Sequence, residues 1–217
     1  MAVPRLFQLS GSHKEDMIVD NKPMRTIENN VLVSEDTPAI KLKVDDRMEY
    51  AGRLQFVLYN VAEADIFVFA EGDEERRLKR WLLVQFEGFL ENNNHTYNYA
   101  MPTRITLGSH EYMVDDYAAN LKAMMEEEPA DSDGAHVAAL LQREGYTMPD
   151  DAIWSRFVRA IGEARRKELL IIYTEDLASL GLTASDLPTN VPLPQEYATL
   201  TEGVHERALR TFTILEG

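Results

Sequence analysis

Between residues 40 and 117 the chain is a series of short runs rich in Val, Ile, Phe and Tyr: 40–44, 53–61, 65–70, 80–90, 96–101 and 104–114. The separators carry turn chemistry, namely Glu71-Gly72-Asp73, Asn92-Asn93-Asn94 and Met101-Pro102-Thr103. Gly and Asn tolerate positive φ, and Pro presets a turn. A parallel partner needs a crossover of about a dozen residues or more, so connections this short dictate antiparallel neighbours. The expectation is an antiparallel β-meander of five or six strands, with barrel-like closure as an option.

After residue 117 the apolar spacing becomes helical. Residues 117–128 form one expected helix ending at Pro129, and 134–145 a second with Val137, Leu140 and Leu141 on one face. Residues 150–167 form a third, with Ile153, Trp154, Phe157, Val158 and Ile161 at helical spacing. Gly145 closes one helix and Asp150 opens the next, which gives a helical hairpin. Residues 169–173 read as a strand buried on both faces. Residues 177–200 read as proline-rich coil, with a capping box at Thr183-Ala-Ser-Asp186. Residues 207–215 read as a closing strand. The fold class is α+β, with an arm over 1–38 holding one strand at Val31-Leu32-Val33 and a single domain over 39–217. That domain divides into the meander (39–117), a helical part (118–167), and a strand, coil and closing strand (168–217).

A charge of −15 disfavours nucleic acid and anionic membranes as partners, because both are held through Lys and Arg. No cysteine is present among the 217 residues, which removes disulfides, thiolate metal sites and cysteine nucleophiles. No apolar run approaches the roughly 18 residues that cross a bilayer, and the short apolar group near the start is not a secretory leader. A cytoplasmic protein is expected.

Chemistry points to the division of faces along the strands. In 80–90 the even positions Leu82, Val84, Phe86 and Leu90 are all apolar, while the odd ones combine Trp81, Leu83 and Phe89 with Gln85 and Glu87. Gln55 and Tyr59 extend that mixed character, as do His95, Tyr97 and Tyr99, and Arg104, His110 and Tyr112, which a single strand would place on one face. So much aromatic area is unfavourable in water, and the polar groups are costly to bury unpaired. A pocket for a small, partly apolar ligand satisfies both demands. Its expected lining is Gln55, Tyr59, Gln85, Glu87, Tyr97, Tyr99, Arg104, His110 and Tyr112.

Two alternatives belong to other classes. One is a protein-interaction or homo-oligomeric module without a pocket. The other is a hydrolase or isomerase using Glu87 and His110 as base and acid. No nucleophile elbow, phosphate loop or dinucleotide fingerprint is present, so no catalytic residue is assigned. His95, His110 and Glu87 would need a favourable register to hold a metal, and the spacing alone carries none; no cofactor is expected. Asp131-Ser132-Asp133-Gly134 fails as a calcium loop because Pro129 and Leu140 stand where acids are needed, leaving Asp133 as a helix cap. The acid pairs Asp45-Asp46, Asp115-Asp116 and Glu175-Asp176 read as solvated strand ends.

Overall fold

The computed structural model describes residues 24–101, 103–189 and 191–215. The strands, in chain order, are β1 (Arg25–Glu28), β2 (Val31–Ser34), β3 (Ile40–Val44), β4 (Glu49–Leu58), β5 (Ala62–Gly72) and β6 (Leu78–Phe89). They continue as β7 (Thr103–Leu107), β8 (His110–Asn120), β9 (Asp151–Ile161), β10 (Lys167–Asp176) and β11 (Phe212–Leu215). Three α-helices, α1 (Leu121–Glu127), α2 (Asp133–Arg143) and α3 (Ala198–Thr211), complete an α+β architecture.

Two antiparallel sheets result, one of four strands in the order β1-β2-β3-β11 and one of seven in the order β4-β5-β6-β10-β9-β8-β7. β4 and β7 stand at opposite edges of the larger sheet, so it does not close into a barrel. The expected meander holds through β4, β5 and β6, then breaks. Three strands separate β6 from β7, which makes these two strands parallel across the alternating sheet, and the chain reaches β7 by passing residues 90–101 over one face. The run 96–101, expected as a strand, is this crossing segment and joins no ladder. The single run 104–114 is instead a hairpin turned at Gly108-Ser109, with Leu107 opposite His110. Gly108 has φ 57°, which glycine adopts without the Cβ clash that other residues meet.

The larger sheet is covered on both sides. Against one face pack the four-stranded sheet and α3, enclosing Phe67, Phe69, Leu82, Val84, Phe86, Phe157, Leu169, Ile171 and Tyr173 with Leu32, Leu42, Val204 and Phe212. Against the other pack α1 and α2, which enclose Ile66, Val68, Trp81 and Leu83 with Leu121, Val137, Leu140 and Leu141. Each such side chain contributes about 1.5–3 kcal/mol on full burial.

Coverage on both faces explains the largest departure from expectation. Residues 151–161 are a strand, not a helix: Ile153 and Phe157 face α3 while Trp154 and Val158 face the other side. When both faces are buried the alternation disappears and the apolar positions imitate a helical period. α1 is shorter than expected because β8 runs on to Asn120, whose side chain caps it by accepting from Ala123 N. Ser132, rather than Asp133, caps α2, accepting from Ala135 N at 3.1 Å. The segment 207–215 is mostly the end of α3, with only Phe212–Leu215 extended along β3. The capping box at Thr183 and Asp186 is present as expected. Of the arm, residues 1–23 lie outside the described residues. The remainder forms two strands rather than one, and β2 pairs with β3. Among the described residues no helix is long and apolar enough to cross a membrane.

Candidate functional site

The odd-numbered residues of β6 point to the side carrying α1 and α2. Glu87 stands directly opposite Glu168 of β10, and the next residue pair on that face is Gln85 with Leu170. The crossing segment lowers two tyrosines onto these groups. Tyr97 Oη donates to Glu87 Oε1 at 2.7 Å, and Tyr99 Oη lies 2.9 and 2.7 Å from the two Glu168 oxygens. Gln85 Nε2 donates to Glu87 Oε2 at 2.8 Å. The rings of Phe89 and Tyr97 stack at 4.3 Å, with Tyr99 parallel to Tyr97 at 6.5 Å. Met101 anchors the far end of the segment against Val158 and Leu170, and Arg165 Nε donates to Tyr97 O at 2.7 Å.

Gln85, Glu87, Tyr97 and Tyr99 therefore come together, with Tyr97 and Tyr99 reaching the acids from the crossing segment and not from the strand face expected for them. Burial pushes the Glu168 carboxyl up to about 8, against the bond from Tyr99 that favours its ionised form. Burial also raises Glu87, opposed by the bonds from Tyr97 and Gln85, and raises both phenols. Gln85 Oε1 is buried and has no hydrogen-bond partner among the described residues. Glu168 escaped sequence reasoning because it adjoins Lys167 at the start of an apolar run, where an acid reads as a solvated strand end. Only its pairing with Glu87 distinguishes it.

The other five expected residues lie elsewhere. Gln55 is on the opposite face, in the row that runs through Asp65 and Phe86. Tyr59 sits at the exposed β4–β5 turn with φ 48°. Arg104 is on the α1/α2 side at the far edge, bonded to the carbonyls of Met101 and Thr103. His110 and Tyr112 are on the face opposite Arg104, because the turn at Gly108 pairs odd residues of β7 with even residues of β8. Tyr112 is fully buried in the core beside α3, and His110 borders a hollow with Ile214 and Leu215. Glu87 and His110 thus project from opposite faces of the sheet, with β10 and β9 between their strands. An acid–base pair of the two, or a metal site joining them with His95, is not assembled. Among the described residues no group of three or more His, Cys, Asp or Glu side chains is placed to hold a metal ion.

Gln55 instead lines a hollow of about 460 Å³ between the sheets, with Val57, Glu63, Asp65, Phe86, Gly88, Lys167, Arg25 and residues 36–37. Phe56, Ala64 and Glu87 also border it, although alternation turns their side chains to the other face. Arg25 lies 4.1 Å over the Phe86 ring and is fixed by Asp65 at 2.9 Å, Asp36 at 3.1 Å and the Thr37 carbonyl at 3.1 Å. Arg53 takes the other side of Asp65, at 2.6 and 2.8 Å.

Searches against known protein families, curated proteins and solved structures return no match. Asp115, Asp116 and Glu175 are internal rather than solvated, whereas Asp45 and Asp46 sit at the turn after β3 with Asp46 exposed, as expected. Asp115 is held by Arg156 at 2.9 and 2.7 Å, and Glu175 by Arg207 and by Tyr173 Oη at 3.1 Å. Asp116 Oδ1 accepts from Ser155 Oγ at 2.5 Å and lies 2.7 Å from His205 Nε2. Serine and histidine share one carboxylate oxygen here, and Ser155 is fully buried, so the trio ties α3 to the sheet. A nucleophile would need the imidazole between serine and aspartate.

Proposed function

We propose that this protein binds a small, partly apolar molecule in the hollow between its two sheets. The observation that carries this reading is the hollow itself, whose 460 Å³ falls within the roughly 300–1,000 Å³ of small-ligand sites. Its composition supports the same reading. Val57 and Phe86 offer apolar surface, while Gln55, Glu63 and Lys167 offer polar ends. Gly88 adds no side chain, and a Cβ there would meet Lys167 Cγ at 3.4 Å, so a larger residue would fill the space. Arg25, already neutralised by its carboxylates, acts as a rigid wall rather than a free charge. The ligand is accordingly a molecule with one planar or aliphatic part and one hydrogen-bonding end. The excess of acidic groups argues against a polyanion.

A second reading has its own observation. Among the described residues β4 is an edge strand carrying exposed Tyr50 and Val57, with exposed Tyr59 in the turn that follows, and such an edge can pair with another chain. Thermal-shift screening of a metabolite collection separates the two. The pocket reading expects compounds that stabilise the unmodified protein but not Val57→Trp, a half-exposed position whose enlargement plugs the hollow without disturbing the core. It fails if no compound stabilises the protein, or if the plugged variant responds equally. Concentration-dependent sedimentation, abolished by Tyr50→Lys, would instead favour the edge.

A further inference from the structure

The cluster beneath the crossing segment has more acceptors than donors. Glu87 and Glu168 supply four carboxylate oxygens and Gln85 Oε1 a fifth acceptor. The donors are the hydroxyls of Tyr97 and Tyr99 and the Gln85 amide. Among the described residues no Arg, Lys or His forms an ion pair with either carboxylate. Arg156, whose field reaches Glu168, is committed to Asp115 through two nitrogens. Two carboxylates directly opposite each other and without a counter-charge are costly to bury. Gln85 is 1% exposed, and its amide is turned onto Glu87, yet among the described residues its oxygen has no hydrogen-bond partner. A proton shared by the acids would cancel one charge and leave that oxygen unsatisfied. A hard cation would satisfy all three groups, since it accepts lone pairs from carboxylate and amide oxygens together.

We propose that Glu87, Glu168 and the Gln85 carbonyl oxygen form a binding site for a hard divalent cation, with calcium the best match. The donor set is oxygen alone, which disfavours the softer metals that seek imidazole or thiolate. Three protein groups leave coordination positions for water, and calcium accepts such irregular shells more readily than magnesium. Glu87, less buried than Glu168, lies on the route of entry. Tyr97 and Tyr99 would orient the carboxylates from outside the coordination shell, as hydrogen-bonded partners of metal ligands do. Cation binding would thereby fasten the crossing segment to β6 and β10.

Terbium provides a direct test, because its luminescence is sensitised by nearby tyrosine. After treatment with a chelator and its removal, the full chain should show saturable tyrosine-excited luminescence that calcium displaces. Calcium alone should raise the melting temperature, and magnesium should do so less. Glu168→Gln and Gln85→Leu should each weaken the calcium effect at least tenfold while keeping the circular dichroism of the parent. Glu87→Gln serves in place of either variant that fails to fold. Absence of a calcium response in the unmodified protein overturns the proposal, as does a response that all folded variants retain. A stability that follows pH alone and ignores calcium would assign the cluster to a shared proton, and would also overturn it.

Discussion

Glu168 offers the sharpest prediction, because a neutral side chain of the same shape should be better tolerated than the native one at alkaline pH. In the absence of divalent cations, burial raises its carboxyl from the ordinary 4.5 to about 8. The folded protein therefore holds a proton there that the unfolded chain releases near pH 4.5. The resulting stabilisation is complete below about 4.5, declines as the pH rises, and is gone by about 8. At about 1.4 kcal/mol per pH unit, a window of ~3.5 units sets a ceiling of ~5 kcal/mol. Glu87 stands opposite and is raised as well, so part of the proton uptake is shared, and ~2–4 kcal/mol is the expected change between pH 5 and 8.5. Glu168→Gln keeps an acceptor for Tyr99 and removes the titration. Urea unfolding with a chelator present should show the parent losing this amount relative to the variant as pH rises, with the variant more stable at pH 8.5. Parallel stability curves for the two proteins, within ~0.5 kcal/mol throughout, would refute the assignment of a buried, counter-ion-free carboxyl.

Three further outcomes follow from the packing. Phe157→Ala, which empties the fully buried centre of β9 against Phe212, should cost ~3–5 kcal/mol by chemical denaturation. Ser132→Ala removes the acceptor for Ala135 N and should cost ~1 kcal/mol, with exchange of the first amides of α2 accelerated. Gly108→Val forces a β-branched residue to φ 57° and places its Cβ 3.1 Å from Ile214 Cγ2. It should cost ~1–3 kcal/mol and broaden the amide resonances of the β7–β8 turn and β11.

The strands β3 to β6 were legible because each carries a run of Val, Ile, Leu, Phe or Tyr, and because Gly72 and Asn92-Asn93-Asn94 mark where β5 and β6 end. The two faces of β6 were legible for the same local reason. Alternate side chains of a strand point in opposite directions, so the apolar line of Leu82, Val84 and Phe86 and the mixed line of Gln85 and Glu87 had to separate. The capping box at Thr183 is likewise an interaction within four consecutive residues. Residues 151–161 were misread because apolar positions report burial, not conformation, and a strand enclosed on both sides loses the period that identifies it. The hairpin at Gly108 was missed because one glycine inside a long β run is a weak signal. That omission placed His110 and Tyr112 on the wrong face.

Composition and order alone determined that this chain would build antiparallel sheets and bury one face of β6, and that Tyr97, Tyr99, Gln85 and Glu87 would be neither ordinary core nor ordinary surface. Tertiary structure decided that β10 inserts beside β6, that the chain must consequently cross a sheet face to reach β7, and that Glu168 meets Glu87. The division has a physical origin. Face and turn preferences are set by neighbours a few residues apart, whereas the choice of pairing partner depends on the total surface buried by segments some eighty residues apart. Competing strand orders share the same local pattern, and only packing both faces of the sheet distinguishes them.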